Sequence, residues 1–314
     1  MNIGIDMMGG DFAPLEVVKA VHPYLSQSLS LPNIFCIGDE ALIAPLLQQH
    51  HLPAATVQII HAPQVIGMHE HPTKALKEKK NSSIAIGFHL LAKGTIDAFV
   101  SAGNTGAMLV GTLYSLKPVP GVLRPTISTV IPKLNGGTGL LLDVGLNTDC
   151  KPEHLNQFAI LGSMYAKTIL EVPMPRVGLL NMGEEEGKGN ILSQSAYALL
   201  KDNQHINFIG NIEGRDILMD KADVIVCDGF TGNVILKMAE SMYDVAVAEQ
   251  LQHNKYLGRF NYEAVGGTPV LGVAKPVIIG HGISNATAFT NMLLLAEKMI
   301  TSRICEEMAD NFSS

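Results

Sequence analysis

Apolar residues in this chain gather into short continuous runs, and between the runs their spacing becomes helical. Residues 2–5, 34–37, 57–60, 97–100, 177–180, 206–209, 224–226 and 277–279 read as strands. Val224-Ile225-Val226 is the clearest case, a β-branched run of the kind buried on both faces of a sheet. Helical patterns from Pro14 to about Ser28 and over residues 41–50 separate the first three strands. The chain therefore opens βαβαβ, the order of a parallel sheet covered by helices. Further helices are predicted over 84–93, with Ser82 or Ser83 as N-cap, and over 152–171. Another follows Asp228, where Ile235, Met238, Ala239 and Met242 recur at helical spacing. Residues 127–131 and 140–142 flank Asn135-Gly136-Gly137 and predict a hairpin that interrupts the parallel pattern. Gly266-Gly267-Thr268-Pro269 predicts a turn into an apolar run. A last helix, capped by Ser284 or Asn285, is expected to reach about Met308. The expected fold class is α/β, three layers around a mostly parallel sheet. It forms one unit over 1–314, divisible into lobes 1–125 plus 270–314 and 126–269.

The strand ends carry the candidate chemistry. Asp6, Ser101, Asp143, Asn181, Asp228 and His281 each lead into a turn rich in Gly, Asn, Ser or Thr. In open α/β sheets ligands bind outside the carboxyl ends of strands, so these turns predict one broad cleft lined by backbone donors. The first turn offers Gly9, Gly10 and Asp11, and the turn after residue 100 offers Ser101, Gly103, Asn104, Thr105 and Gly106. Asn147 closes a third turn, and Lys188, flanked by glycines that give its ammonium room, lies with Asn190 in a fourth. Asp228-Gly229-Phe230-Thr231-Gly232-Asn233 has the strand–turn–helix form that aims N–H groups at an anion. His281 and Ser284 follow the last strand, where a lone histidine is either an acid–base group or a structural one.

Composition narrows the classes. The 314 residues are 47% hydrophobic with no Trp, which gives an aliphatic core, and the net charge of −7 argues against a nucleic-acid partner. The arginines are only Arg124, Arg176, Arg215, Arg259 and Arg303, so phosphate recognition has to lean on backbone N–H, Lys and hydroxyls. Against that acidic background, Lys74, Lys77, Lys79 and Lys80 make residues 72–81 locally basic, either a solvated face or a rim for an acidic partner or a phosphate. Four cysteines without CxxC spacing, no signal peptide and no apolar run near the roughly 20 residues of a membrane span read as a reduced cytoplasmic protein. The first turn is not GxGxxG, and no GxSxG, HExxH, Walker A or kinase motif occurs. Glu184-Glu185-Glu186 is expected to cap its loop or pair with Lys188, with no metal ligand set in view.

The blocks IDMMGGDFAP, KKNSSI, SAGNTGA, LLDVGLN, GLLNMGEEEGKGN, NFIGNIEGRD, DVIVCDGFTGNVILK and YEAVGGTPVLG with HGISNA resemble the bacterial phosphate acyltransferase (PlsX) family, in family order from residue 3 to about 290. The resemblance implies transfer of a fatty acyl group from acyl-carrier protein to inorganic phosphate, for phospholipid synthesis. It implies a fold similar to isocitrate/isopropylmalate dehydrogenases and phosphotransacetylase, and a homodimer; no cofactor and no metal are expected. A glycerol-3-phosphate acyltransferase and the inner face of the membrane are further partners of such a protein. The family's suspected catalytic pair falls on Lys188 and Asn233, with Lys80, Ser82 and Ser83 in the KKNSSI block. Two departures stand out: Lys77-Glu78-Lys79-Lys80 replaces an arginine-bearing run, and residues 240–262 are shorter than in relatives with an apolar hairpin there. On this view phosphate is itself the nucleophile. The turns over 101–106 and 229–233 hold it, Lys188 neutralises it, and the Asn233 amide stabilises the thioester oxyanion. Readings of other classes are a phosphotransacylase using a CoA thioester and a non-catalytic membrane-surface scaffold. A metal-dependent hydroxyacid dehydrogenase is disfavoured, because neither a dinucleotide fingerprint nor an arginine cluster is present.

Overall fold

The apolar runs form strands with consecutive residues buried, so both faces of the sheet are covered: in Asn2–Asp6, every residue after Asn2 is inside. A computed structural model of the protein describes all residues except Leu31, Tyr262, Ala264, Val265 and Ser314. Most of the YEAV run singled out in the sequence thus lies outside the described residues. In chain order the elements are β1 (Asn2–Asp6), α1 (Leu15–Gln27), β2 (Asn33–Gly38), α2 (Glu40–Gln49), β3 (Val57–His61), α3 (Pro72–Glu78), α4 (Ser83–Lys93), β4 (Ala98–Ser101) and α5 (Thr105–Ser115). There follow β5 (Thr126–Pro132), β6 (Thr138–Leu142), α6 (Pro152–Thr168), β7 (Arg176–Asn181), α7 (Ile191–Asp202), β8 (Asn207–Glu213), β9 (Val224–Val226) and α8 (Gly229–Ala248). The chain continues with β10 (Gly267–Leu271), β11 (Val277–Gly280), α9 (Ala286–Thr301) and α10 (Ile304–Ser313).

These elements fall into two compact units, one of Met1–Pro118 with Tyr262–Cys305, the other of Val119–Asn261 with Glu306–Ser314. In the first, the strand order is β3-β2-β1-β4-β11-β10. Its neighbours are parallel except for the antiparallel β10–β11 pair. Gly87 of α4 lets that helix close on the sheet, since a Cβ there would stand 2.2 Å from the Phe99 ring. In the second unit the order is β5-β6-β9-β7-β8. There β5 and β6 form the expected antiparallel hairpin and the other neighbours are parallel. Consecutive burial in β6 and β9 again marks a sheet covered on both faces. No helix among the described residues is long and apolar enough to cross a membrane.

The structure corrects several expected elements. The basic run 72–81, for which no element was expected, is mostly a short helix, α3. The anticipated turn at 266–269 is largely strand, because Thr268 and Pro269 pair with Ile279 and Ile278 of β11. The final helix is broken: Arg303 takes a left-handed backbone (φ 57°) between α9 and α10. Asn285, rather than Ser284, caps α9 by accepting from the Ala288 amide. Strand β8 does not stop at residue 209 but runs through Gly210 (φ 94°), with a register shift against β7. Helix α7 had no counterpart in the sequence reading.

Candidate active site

In the second unit, β6 ends in a carboxylate. Asp143 is fully buried, and its chain neighbours fold back over it. Oδ1 accepts from the amides of Gly145 and Leu146, both at 3.1 Å, and Oδ2 from the Asn147 backbone and side-chain amides, both at 2.7 Å. Burial pushes the Asp143 carboxyl up, and these bonds oppose that rise without cancelling it. Asn147 also donates to Pro125 O at 2.8 Å, so the side chain expected to meet substrate is committed inside the fold.

The next strand in space, β9, delivers Asp228, the N-cap of α8, which accepts from the Thr231 amide (2.9 Å) and hydroxyl (2.8 Å). The expected loop 228–233 is therefore the first helical turn. Its amides are largely spent within the chain: Gly229 N donates to Asn147 O (2.7 Å) and Gly232 N to Asp228 O (3.0 Å). Gly229 and Gly232 allow the helix to sit directly on the Asp143 turn, since a Cβ on Gly232 would fall 1.8 Å from Asp143 O. The turn presents side chains instead. Asn233 is exposed, and its Nδ2 donates to Val144 O at 3.1 Å. Cys227 is buried behind the turn, and burial raises its thiol far above the ordinary range, so it is a neutral filler rather than a nucleophile.

At the end of β7, Asn181 Nδ2 holds the carbonyl of Lys188 (3.0 Å), while Asn190 caps α7 by accepting from Ser193 N (2.9 Å). Gly189 has φ 94°, and a Cβ on it would strike Asn181 and Ser193. The three glutamates are shared among three lysines. Lys221 closes on Glu184 at 2.6 Å and Lys201 on Glu186 at 2.9 Å, whereas Lys188, half exposed, stays 3.9 Å from Glu185. No cluster of His, Cys, Asp or Glu among the described residues could hold a metal ion. The ends of β7 and β9 and the starts of α7 and α8 border an open cavity of about 430 Å³. Asn181, Asn190, Ser193, Asp228 and Thr231 contribute polar lining, and Leu155, Leu179 and Cys227 a buried wall.

The first unit repeats the device. Asp6, buried at the end of β1, accepts from Ser101 Oγ (2.7 Å), the Met8 amide (2.9 Å) and Ser83, and burial again pushes its carboxyl up. Gly9 lies against Gly103: a Cβ on it would stand 2.6 Å from Gly103 N. Gly10 has φ 101°, and the Asp11 amide donates to Gly282 O (2.7 Å), next to His281. The turns after β1, β4 and β11 thus meet, bringing together Gly9, Gly10, Asp11, Ser83, Ser101, Gly103, Asn104, His281 and Ser284. Several of these side chains are occupied. Ser82 caps α4, accepting from Ala85 N, and Asn104 caps α5 while donating to the carbonyls of Gly67, Met68 and Glu70. Thr105 and Gly106 open α5, with Gly106 against Pro72. His281 Nδ1 accepts from Ile283 N at 3.5 Å, and the buried Ser284 hydroxyl has no partner among the described residues. Lys80 is exposed between α3 and α4, while Lys79 is tied to Glu70 (2.6 Å). Asp6, Asp143, Asn181 and Gly145 were not singled out as site residues. An acidic residue directly after an apolar run was the available signal for the two aspartates.

A family model described as a fatty acid synthesis protein matches residues 1–307. A phosphate acyltransferase of Dictyoglomus turgidum is 42% identical over 100% of this chain and 98% of its own. Among solved structures, a phosphotransacetylase from Streptococcus pyogenes superposes with a TM-score of 0.69 at 18% identity, covering 96% of this chain and 94% of that one. A 4-hydroxythreonine-4-phosphate dehydrogenase from Klebsiella pneumoniae superposes at 0.57 and 13% identity, covering 95% and 97%. Both likenesses bear out the expected α/β fold, shared with phosphotransacetylases and with a dehydrogenase.

Proposed function

The chain belongs to the fatty acid synthesis protein family, whose curated relatives are phosphate acyltransferases, and from that membership we propose that it transfers a fatty acyl group from the thioester of an acyl-carrier protein to inorganic phosphate, feeding phospholipid synthesis. Acyl transfer to phosphate is the family's activity, and the chain is an acyltransferase enzyme. The donor, the pathway and the residue roles are our reading.

Lys188 carries it. The two other lysines that meet this loop's glutamates, Lys201 of α7 and Lys221 before β9, are neutralised by them, whereas the Lys188 ammonium stays 3.9 Å from Glu185 and half exposed. A cation held so loosely is open to an incoming phosphate. A phosphate oxygen adds to the thioester carbonyl carbon, the C–S bond breaks, and the acyl group ends on phosphate as an acyl phosphate. The proton given up by hydrogenphosphate goes to the departing sulfur, whose thiol pKa of about 8.5 makes it a competent leaving group. The tetrahedral intermediate carries an oxyanion. Asn233 spends one amide hydrogen on Val144 O, which fixes the group, and its second hydrogen is the assigned oxyanion donor. The carrier protein is acidic in this reading, and exposed Lys74, Lys77 and Lys80 are its assigned contacts.

The test is phosphate-dependent thiol release. Lys188→Ala and Asn233→Ala should each lower kcat by about 10²–10³. Near wild-type rates for both would remove these assignments. In parallel, acyl-carrier protein should outperform the same acyl-CoA, and reversing the charges of Lys74, Lys77 and Lys80 should raise KM for the carrier donor only. Equal turnover of both donors, unaffected by charge reversal, would point to a CoA-dependent phosphotransacylase.

A further inference from the structure

The cavity in the second unit is the wrong place for phosphate. Its lining includes no lysine, arginine or histidine among the described residues, and its one carboxylate, Asp228, is already bonded to Thr231. An anion would meet an uncompensated carboxylate there and no counter-charge. An uncharged apolar guest meets the opposite conditions. Leu155 and Leu179 are each 1% exposed and Cys227 3%, so the inner wall is apolar and tightly packed, and Leu180, Leu192 and Ile235 extend the apolar surface. The polar groups are Asn181, Asn190, Ser193, Asp228 and Thr231, of which Asn190 is exposed. At about 430 Å³ the space falls within the range of small-molecule sites, roughly 300–1,000 Å³. Gly189 and Asn190 line it directly after Lys188, and Thr231 lines it two residues before Asn233.

We propose that this cavity seats the alkyl chain of the acyl donor, with Leu155, Leu179 and Cys227 as the wall that limits chain length. This assignment rests on the acyltransfer reading above. A thioester whose tail lies against that wall holds its carbonyl on the side of Lys188 and Asn233. Chain-length selectivity then follows from volume, because each methylene that fits or fails to fit changes specificity by about tenfold or more.

The experiment compares butanoyl, octanoyl, dodecanoyl and hexadecanoyl thioesters of pantetheine with phosphate, in wild type and in Leu155→Phe, Leu192→Trp and Leu155→Ala. The first two narrow the cavity, and Leu192 is only partly buried, so its replacement spares the core. The ratio of kcat/KM for the longest to the shortest tolerated donor should fall by about tenfold in Leu155→Phe and Leu192→Trp, and shift toward longer chains in Leu155→Ala. Variants that keep their thermal transition yet retain the wild-type chain-length profile would overturn the proposal. A second arm needs no turnover: the uncharged fluorophore N-phenyl-1-naphthylamine is bound to the protein and displaced with the dodecyl thioether of pantetheine. Displacement by wild type that weakens about tenfold in Leu192→Trp supports the pocket assignment. Equal displacement from both refutes it. A wild type that releases no thiol from any donor yet shows that difference in displacement would fail the acyltransfer reading and leave the apolar pocket standing.

Discussion

Asp6 and Asp143 do the same work in the two units. Each is an acidic residue at the end of an apolar strand, buried, with the amides of its own turn drawn onto the carboxylate. That arrangement turns a flexible, glycine-rich segment into a fixed support, and in the second unit the support holds Asn233. Gly145 is the narrow point. Its φ of 135° suits glycine alone, and a Cβ would stand 2.9 Å from Asn233 Nδ2. Gly145→Ala should therefore lower kcat by a factor approaching that of Asn233→Ala, with a stability loss of about 1–3 kcal/mol. Steady-state kinetics beside a thermal melt would show it, and full activity in the folded variant would detach Asn233 from this support. The sequence made Asp143 visible as a strand end and left its partners hidden. Which donors reach a carboxylate depends on how the turn folds back, and no local spacing encodes that. The same blindness made Asn147, Ser82 and Asn104 look available for a ligand when their polar atoms hold neighbouring segments.

Helix α8 shows how an element can defy its own propensities. Glycine in a helix costs about 1 kcal/mol relative to alanine, yet two sit in its first turn, at positions 229 and 232. Both lie where backbone from the Asp143 turn presses against the helix. Gly232→Ala, stabilising by propensity, should instead destabilise by about 2 kcal/mol or more, as overpacking does. Urea unfolding decides the sign, and a gain in stability would mean that α8 is not seated as described. Elements with broad apolar runs, such as β1, β6 and β9, were legible from the chain because both of their faces are covered. Helix α7 was not, since Ala196 and Leu200 are its buried residues and its apolar stripe is correspondingly thin. Gly210 made β8 look finished at residue 209, because an isolated glycine in a strand marks an irregularity in the ladder as readily as an end.

On the scale of the molecule, the second unit keeps its candidate site and an ion network at opposite ends of the same strands. In the second unit the candidate site gathers at the carboxyl ends of β6, β7 and β9, while an ion network closes the opposite ends of β7 and β9. Asp223 accepts a fork from Arg176 (Nε 2.9 Å, Nη2 3.0 Å) and a bond from Lys133 Nζ at 2.6 Å. Burial pushes the Asp223 carboxyl up, but the bonds from Arg176 and Lys133 outweigh it and hold the carboxyl well below the usual range. Because the folded value is depressed, the network's contribution is complete above the unfolded pKa of about 3.9 and is lost as pH falls through and below it. Lys133 is 3% exposed, so Lys133→Met should cost about 3 kcal/mol at neutral pH. That difference from wild type should shrink in denaturation series taken toward pH 3. A difference constant across that range would show that the lysine contributes through packing alone. The strands and helices of the second unit, α7 apart, were expected from patterns local to the chain. Burial of a lysine on an aspartate ninety positions away was beyond any such pattern.

The first unit is interrupted by the second, and this has a bearing on how the protein is made. The partner of β4 on its outer side is β11, which begins at Val277, whereas β4 ends at Ser101. A ribosome producing the chain must therefore complete the whole sheet of the second unit, through Val226, before the strand that covers β4 emerges. During that interval Phe99 and Val100 stand on an open strand edge, the kind of surface on which nascent chains pair wrongly with one another. The late strand that finishes the sheet also carries the chain to His281, so the first unit's cluster of strand-end turns comes together only after the second unit's sheet has been made.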